Sequence, residues 1–255
     1  MKKILLILFS VVSYSHYSQT KEVKYQDGAQ VLKGQFAKSK KARKDNAAVL
    51  ILPAWMGVSE HTKEVATKLS NLGYHAFVAD IYGEGNNPTN TKEAGERAGF
   101  YKSNAEAYRI RISLGLQELI KQGANPENIV VIGYCFGGTG ALEAARAEMA
   151  VKGVVSFHGG LGKIANTNAE KITAKVLVLH GADDPYVPQT DIESFQNEMR
   201  NAKADWQMIY YADAVHAFTE KAAGNDKSRG AAYNATADRR SFEHFLVFLK
   251  ELFGA

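Results

Sequence analysis

The chain has 255 residues, of which 45% are hydrophobic and 23% are charged, and its formal net charge is +4. These proportions are typical of a globular protein and exclude a disordered, collagen-like or multi-span membrane protein. The charge is too small to indicate a nucleic-acid partner. A chain of this length can bury one substantial core, so we expect a single domain.

The first 19 residues differ in composition from the rest. Lys2 and Lys3 precede an apolar run at 4–12, and the small residues Ser13 and Ser15 follow. A transmembrane anchor is the alternative, but a helix of this run spans only about 13 Å, against a hydrocarbon core of roughly 30 Å. We therefore predict a signal peptide over 1–19 and an exported, periplasmic or secreted protein. The mature chain, 20–255, would then not bind a membrane.

The elements predicted next begin with a hairpin. Residues 22–36 form two alternating stretches around a Gln-Asp-Gly turn signal at 26–28, which predicts an antiparallel pair at a sheet edge. From residue 47 onward, short apolar β-rich segments alternate with segments of helical period, which is typical of βαβ units. The sequence thus predicts a mostly parallel, doubly wound α/β sheet. Predicted strands lie at 47–55, 74–80, 128–135, 151–159, 174–181 and 206–212, and predicted helices at 60–71, 91–121, 138–150, 189–201 and 231–253.

The strand predicted at 128–135 runs into a Gly-Tyr-Cys-Phe-Gly-Gly motif at 133–138 and then into a helix. This pattern matches a nucleophile elbow with cysteine in place of serine. On so tight a turn, glycine at 133 and 137 avoids a clash of side chains, and the helix N-terminus favours a thiolate on Cys135. The backbone N–H of Phe136 would face an oxyanion. The alternative is that Cys135, the only cysteine, is a small buried apolar residue.

Reactive side chains also follow two later strands. Asp183 and Asp184 come after the strand at 174–181, and His216 comes after the strand at 206–212. Ligands of open α/β sheets bind where the strands end, so we expect these groups to meet near Cys135. The order of nucleophile, acid and histidine is that of α/β-hydrolases. Either aspartate has a simpler reading, since an aspartate after a strand often binds its own backbone.

These motifs resemble those of the dienelactone hydrolase family. The family's elbow, acid loop and histidine motif appear here as GYCFGG at 133–138, DPYVP at 184–188 and HAF at 216–218. The likeness extends to the hairpin and to the segments at 53–57, 73–82 and 156–159, so it covers essentially the whole mature chain.

This resemblance implies an α/β-hydrolase fold and cleavage of ester or lactone bonds through an acyl-enzyme. Cys135 would be the nucleophile, His216 the base and Asp184 the acid that orients it; Asp184 is preferred to Asp183 because Val187 follows it three residues later, as in the family. Trp55 would donate the second oxyanion N–H. No metal or organic cofactor is implied, and no histidine spacing suggests a metal site.

The chain also departs from the family's pattern. Members that cleave dienelactone carry a glutamate where this chain has Ala54, and two arginines, for the substrate carboxylate, where it has Glu84 and Glu220. Two carboxylates would repel an anionic substrate, so we predict a poor dienelactone hydrolase that prefers neutral or cationic esters. The alternative is that both glutamates point to solvent. The predicted pocket comprises Tyr82, Glu84, Tyr134, His158, Phe218 and Glu220.

Two other functions stay open at this stage. A hydrolase scaffold can serve as a non-catalytic binding protein, because fold does not fix function. A lone thiol can instead respond to oxidants, although this chain has no second cysteine to resolve a sulfenic acid. For the hydrolase, the partner is a small ester or lactone, and the sequence carries no signal for an oligomeric state.

Overall fold

A computed structural model describes residues 20–41, 43–163 and 171–254 of the protein. The predicted signal peptide, 1–19, lies outside these residues. Among them, no helix is both long enough and apolar enough to cross a membrane.

An eight-stranded sheet organises the described chain, with strand order β1-β2-β4-β3-β5-β6-β7-β8. The first two strands form the predicted hairpin, which is antiparallel and lies at the sheet edge; β2 also pairs antiparallel with β4, and the remaining pairs are parallel. The predicted mostly parallel α/β fold is therefore confirmed. The strands are β1 Lys21–Asp27, β2 Gln30–Ala37, β3 Ala48–Leu52, β4 His75–Val78, β5 Ile129–Tyr134, β6 Gly153–Phe157, β7 Lys175–Gly181 and β8 Trp206–Tyr211.

Helices cover both faces of this sheet, because the central strands are apolar on both sides. Along β3, Leu50 packs into one core with residues of α2, α3, α4 and α5, whereas Ile51 packs into a second core with residues of α1 and α6. The period of two in a strand explains this division. The helices are α1 Glu60–Asn71, α2 Thr91–Ser103, α3 Ala105–Lys121, α4 Phe136–Arg146, α5 Gln189–Asn201 and α6 Ala235–Phe253.

One predicted helix is divided in the structure. The segment at 91–121 forms α2 and α3, which meet at Asn104. The backbone of Asn104 leaves the helical region (φ −132°, ψ 83°), and its side chain accepts a hydrogen bond from the N–H of Ala107 at 3.1 Å. Asparagine is a favoured N-cap, so this local bond ends one helix and begins the next although the apolar pattern continues.

A buried ion cluster anchors α4 at the end opposite Cys135. The Arg146 guanidinium binds the carboxylates of Glu143 and Glu198, with N–O distances of 2.9 Å to each. It also donates to the carbonyl oxygen of Leu161 at 2.9 Å. Each of the three ionic side chains is at most 4% exposed, so every charge in the cluster depends on its partners for neutralisation.

Candidate active site

Cys135 stands on a sharp turn between β5 and α4. Its backbone is left-handed (φ 53°, ψ −112°), which is unusual for a residue with a side chain. A Cβ atom on Gly133 would lie 1.9 Å from the carbonyl oxygen of Gly137, and one on Gly137 would lie 2.1 Å from the carbonyl oxygen of Leu52. Only glycine fits at these two positions; the conflict at Gly133 lies within the elbow, as the motif indicates, and the conflict at Gly137 is with the end of β3.

Three side chains from different strand ends meet at this turn. The Sγ atom of Cys135 lies 3.0 Å from His216 Nε2, and His216 Nδ1 lies 2.9 Å from Asp184 Oδ2. The other carboxylate oxygen of Asp184 accepts a hydrogen bond from the N–H of Tyr186 at 2.9 Å. The Asp184 side chain is fully buried, whereas Asp183 is exposed. The structure therefore brings together Cys135, His216 and Asp184 in one hydrogen-bonded line.

The electrostatics of this line favour charge separation between the thiol and the imidazole. Burial acts to lower the pKa of His216, but its hydrogen bonds to Asp184 and Cys135 outweigh burial and raise the pKa to about 10. Burial acts to raise the pKa of Cys135, but the hydrogen bond from His216 and its positive charge lower it overall. The pKa of His216 is raised and that of Cys135 is lowered, and both shifts favour a thiolate beside an imidazolium.

The two predicted oxyanion donors are the backbone N–H groups of Phe136 and Trp55. The N–H of Phe136 begins α4 and contributes to stabilising the thiolate. Trp55 lies in the loop after β3, and its carbonyl oxygen accepts a hydrogen bond from the Tyr82 hydroxyl at 2.8 Å. Burial raises the pKa of Tyr82, so its phenol stays protonated and can donate. Tyr82, predicted as a pocket residue, is 3% exposed and holds the loop that carries the Trp55 N–H.

Other predicted pocket residues lie deeper than expected. Tyr134, His158 and Phe218 are at most 1% exposed. Tyr134 borders a cavity of about 390 Å³, but His158 and Phe218 pack beneath Cys135 and His216 rather than forming an open wall. They are buried because β6 and the segment after β8 converge under the elbow.

The two predicted glutamates differ in surroundings. Glu84 is 42% exposed and its carboxylate forms an ion pair with Lys33 of β2, as in the solvent-facing alternative. Glu220 is mostly buried, and its Oε1 atom lies 3.7 Å from His61 Nε2, too far for a hydrogen bond. Burial raises the pKa of Glu220 to about 7. Only Glu220 thus combines a buried carboxyl with a place in the segment that carries His216.

Sequence reasoning missed two residues that support this site. The Tyr186 ring meets His216 edge-on with centroids 5.4 Å apart and is 58% exposed. The Thr219 hydroxyl lies 2.8 Å from His158 Nε2. Tyr186 lies within the motif at 184–188, and Thr219 directly follows the motif at 216–218. Closeness in sequence to Asp184 and His216 was the signal that could have identified them.

Comparisons with known proteins agree with this architecture. The model of the dienelactone hydrolase family matches residues 32–253. A solved dienelactone hydrolase-like promiscuous phosphotriesterase from metagenomic libraries is 34% identical, with a TM-score of 0.85 over 92% of this chain and 98% of that chain. The solved structure named m3DLH is 31% identical, with a TM-score of 0.87 over the same shares.

A relative from Bradyrhizobium extends the comparison to sequence. This probable 2-oxo-3-(5-oxofuran-2-ylidene)propanoate lactonase is 25% identical over 225 residues, which are 80% of this chain and 83% of the relative. The family model spans most of the chain, and the three relatives named above are matched over 83–98% of their own length. The chain belongs to the dienelactone hydrolase family.

Proposed function

We propose that this hydrolase cleaves carboxylic ester or lactone bonds with Cys135 as nucleophile, His216 as general base and acid, and Asp184 as the group that orients His216. The observation that carries the proposal is the hydrogen-bonded line from Asp184 through His216 to Cys135 Sγ, at 2.9 and 3.0 Å. The name of one relative, a probable lactonase, points to the same class of bond cleavage, whereas the name of the dienelactone hydrolase-like phosphotriesterase points to cleavage of phosphate esters.

The reaction would proceed in two halves. The Cys135 thiolate attacks the acyl carbonyl, and the tetrahedral oxyanion accepts hydrogen bonds from the backbone N–H groups of Phe136 and Trp55. His216 gives its proton to the leaving alkoxide, which departs as an alcohol and leaves a thioester on Cys135. His216, now neutral, takes a proton from water, the hydroxide attacks the thioester, and the acid product leaves as the thiolate and imidazolium are restored.

The position of Ala54 bears on how the thiol is activated. Ala54 is only partly exposed and has no acid to offer, so activation rests on His216 and on the N-terminus of α4. The lowered pKa of Cys135 and the raised pKa of His216 support activation of the thiol by His216. The thiolate does not need a further carboxylate beside it.

The charge preference of the proposed enzyme rests on Glu220. Its carboxyl is buried near His216, so its ionised form would act on a bound anion through a medium of low dielectric constant. Lys102 also contributes positive potential at Cys135, but it is exposed and solvent screens its charge. We therefore propose neutral or cationic esters, rather than an anionic dienelactone, as the preferred substrates.

Export is a separate part of the proposal. The lysines, apolar run and small residues in 1–19 support it. Fractionation of cells expressing the full chain, with mass analysis of the recovered protein, tests it. We expect a mature protein that lacks these residues outside the cytoplasm; a full-length protein confined to the cytoplasm contradicts export without bearing on the chemistry.

The decisive experiment measures kcat/KM on three esters with one leaving group and acyl chains that end in a neutral, an anionic or a cationic group. We expect hydrolysis of the neutral ester that is abolished in Cys135→Ala. Acid quenching of the wild type should show a mass increase equal to the acyl group, and Cys135→Ala should show none. Ligand binding without turnover would favour a binding protein, and reversible peroxide oxidation without turnover would favour a redox-responsive thiol.

Two further variants test the charge argument. Glu220→Gln should raise kcat/KM on the anionic ester by about tenfold or more, because a repulsion of about 1.4 kcal/mol or more is removed. Glu84→Gln is the matched control, since Glu84 is exposed and paired with Lys33, and it should change little. Dienelactone cleavage by the wild type at rates well above those for neutral esters would refute the preference.

A further inference from the structure

His158 lies at the carboxyl end of β6, directly beneath the elbow, and is completely buried. Its Nδ1 atom accepts a hydrogen bond from the backbone N–H of Cys135 at 3.2 Å, and the carbonyl oxygen of Phe157 accepts from the same N–H at 3.0 Å. Its Nε2 atom lies 2.8 Å from the Thr219 hydroxyl. One ring thus connects the turn that carries the thiol with the segment that carries His216.

The chemistry of these two contacts defines the protonation of the ring. A backbone N–H can only donate, so Nδ1 of His158 must accept and carries no proton. Burial, followed by the charge of His216, holds the pKa of His158 well below its usual value, so the ring is neutral. Its single proton is therefore on Nε2 and is donated to the Thr219 hydroxyl.

The surroundings of this ring are strained. Three residues with side chains adopt left-handed backbones here: Cys135 (φ 53°), His158 itself (φ 40°) and Ala217 (φ 57°). Each such conformation costs on the order of 1–3 kcal/mol and persists only where neighbouring contacts over-determine it. His158 bonds to one of the other two strained residues, and Thr219 follows the second by only two positions.

The packing of His158 also reaches the base. Its ring meets those of His216 and Phe218 edge-on, with centroids 5.5 and 5.0 Å away. A phenylalanine would fill the same space but would make neither hydrogen bond. A charged ring would place a second cation beside the His216 imidazolium. A neutral imidazole makes both hydrogen bonds and adds no second cation beside His216. Packing alone does not explain why a histidine stands here.

We propose that His158 is a positioning residue that sets the separation between the Cys135 thiol and the His216 imidazole, and so stabilises the thiolate–imidazolium pair. The inference rests on the proposed function, because it assigns a role within the same Cys135–His216 pair. His158 does not touch substrate. It fixes the backbone of the nucleophile from below and, through Thr219, fixes the segment that presents the base.

The test is a pH titration of the Cys135 thiolate, followed by its ultraviolet absorbance and by its rate of alkylation. Cys135 is the only cysteine, so both signals report on this site. In His158→Phe and in Thr219→Val we expect the apparent pKa of the thiol to rise by about one unit or more, a tenfold loss of thiolate below that pKa. We expect kcat/KM on a neutral ester to fall at least as much, mainly through kcat.

Two more variants separate positioning from general stability. His75→Phe is the matched control: His75 is also buried and its Nδ1 atom accepts the backbone N–H of Ser39 at 3.2 Å, but it lies at the start of β4. It should lower stability and leave the thiolate titration unchanged. His158→Asn, whose side-chain oxygen can still accept the Cys135 N–H, should restore part of the loss.

The outcomes distinguish this inference from the proposed function. A folded His158→Phe protein with the thiolate titration of the wild type would overturn the inference, and Thr219→Val decides the question if His158→Phe does not fold. A wild type that shows the shifted thiolate but cleaves no ester would refute the proposed function while the titration still tests His158.

Discussion

Replacing Asp184 by asparagine should disable the site while leaving its shape almost unchanged. The Oδ1 atom of Asp184 accepts the Tyr186 N–H at 2.9 Å, so the asparagine oxygen must stay there. The asparagine NH2 group then faces Nδ1 of His216, which can only accept from it. His216 would carry its proton on Nε2, toward Cys135, and could not take the proton of the thiol.

The size of the effect follows from what is lost. In the wild type, Asp184 helps to raise the pKa of His216 to about 10; with asparagine that support disappears and the tautomer is wrong. The comparable change in a serine protease triad lowers kcat about 10⁴-fold. A cysteine is a better nucleophile than serine at neutral pH, so we expect a loss of about 10³- to 10⁴-fold, or roughly 4–5.5 kcal/mol.

The assay is the pH profile of kcat/KM on a neutral ester, with the thiolate titration alongside. For the wild type, activity should rise with pH as Cys135 deprotonates, below the usual range of a thiol, and fall near pH 10 as His216 loses its proton. Asp184→Asn should shift the rising limb to higher pH. Asp183→Asn is the matched control, because Asp183 is exposed. Activity of Asp184→Asn within tenfold of the wild type, with an unshifted thiolate, would refute the assigned role.

Three further predictions concern stability and the elbow. Arg146→Met removes the cation that two buried carboxylates share, leaving Arg109 paired with Glu143 and Lys163 3.9 Å from Glu198, and should cost about 3 kcal/mol and lower Tm by about 6–12 °C, whereas Arg239→Met removes an exposed ion pair and should shift Tm little. Gly137→Ala places a Cβ atom 2.1 Å from a backbone oxygen of β3, so we expect little folded protein in circular dichroism, and a normal Tm would contradict the elbow packing. Burial raises the pKa of Glu220 from 4.5 to about 7, so its contribution to the free energy of unfolding is complete below pH 4.5 and is lost as pH rises through 7. In denaturant titrations across this window, the free energy of unfolding of Glu220→Gln should therefore rise by about 3 kcal/mol relative to that of the wild type. A difference that stays constant with pH would contradict the shift.

The parts of the fold that depend on local pattern could be predicted from the sequence. The apolar strand before Cys135 and the flanking glycines predict an elbow because the steric conflict at Gly133 is with Gly137, close in the chain; the conflict of Gly137 with Leu52 of β3 adds to it but is distant in sequence. The hairpin was predictable for the same reason, since Gly28 supplies the left-handed turn (φ 56°). By contrast, the division into two helices at Asn104 depends on a single N-cap, while the apolar pattern continues through it. The spacing of apolar residues alone therefore does not predict this division.

The surroundings of individual side chains were not predictable, because their partners are distant in sequence. Glu84 aligned with a substrate-binding position, but Lys33 on the neighbouring β2 pairs with it. His158 stood at a strand end and was assigned to the pocket, yet its partners lie 23 and 61 residues away. A strand end indicates which edge of the sheet a residue reaches. Whether the residue faces the ligand or lies beneath it depends on the neighbouring loops.

The elbow is therefore a property of several adjacent strands and not of its six-residue motif alone. The backbone N–H of Cys135 donates to the carbonyl oxygen of Phe157 and to the His158 ring, both at the end of β6. The backbone N–H of His158 in turn donates to the carbonyl oxygen of Leu179 of β7 at 2.9 Å. The strain at Cys135 is held by this chain of bonds across three parallel strands, and His158 carries it on to the segment after β8 through Thr219. Because strained conformations persist only where the surroundings over-determine them, the strand ends supply both the reactive groups and the rigidity that keeps a thiolate within 3.0 Å of its base.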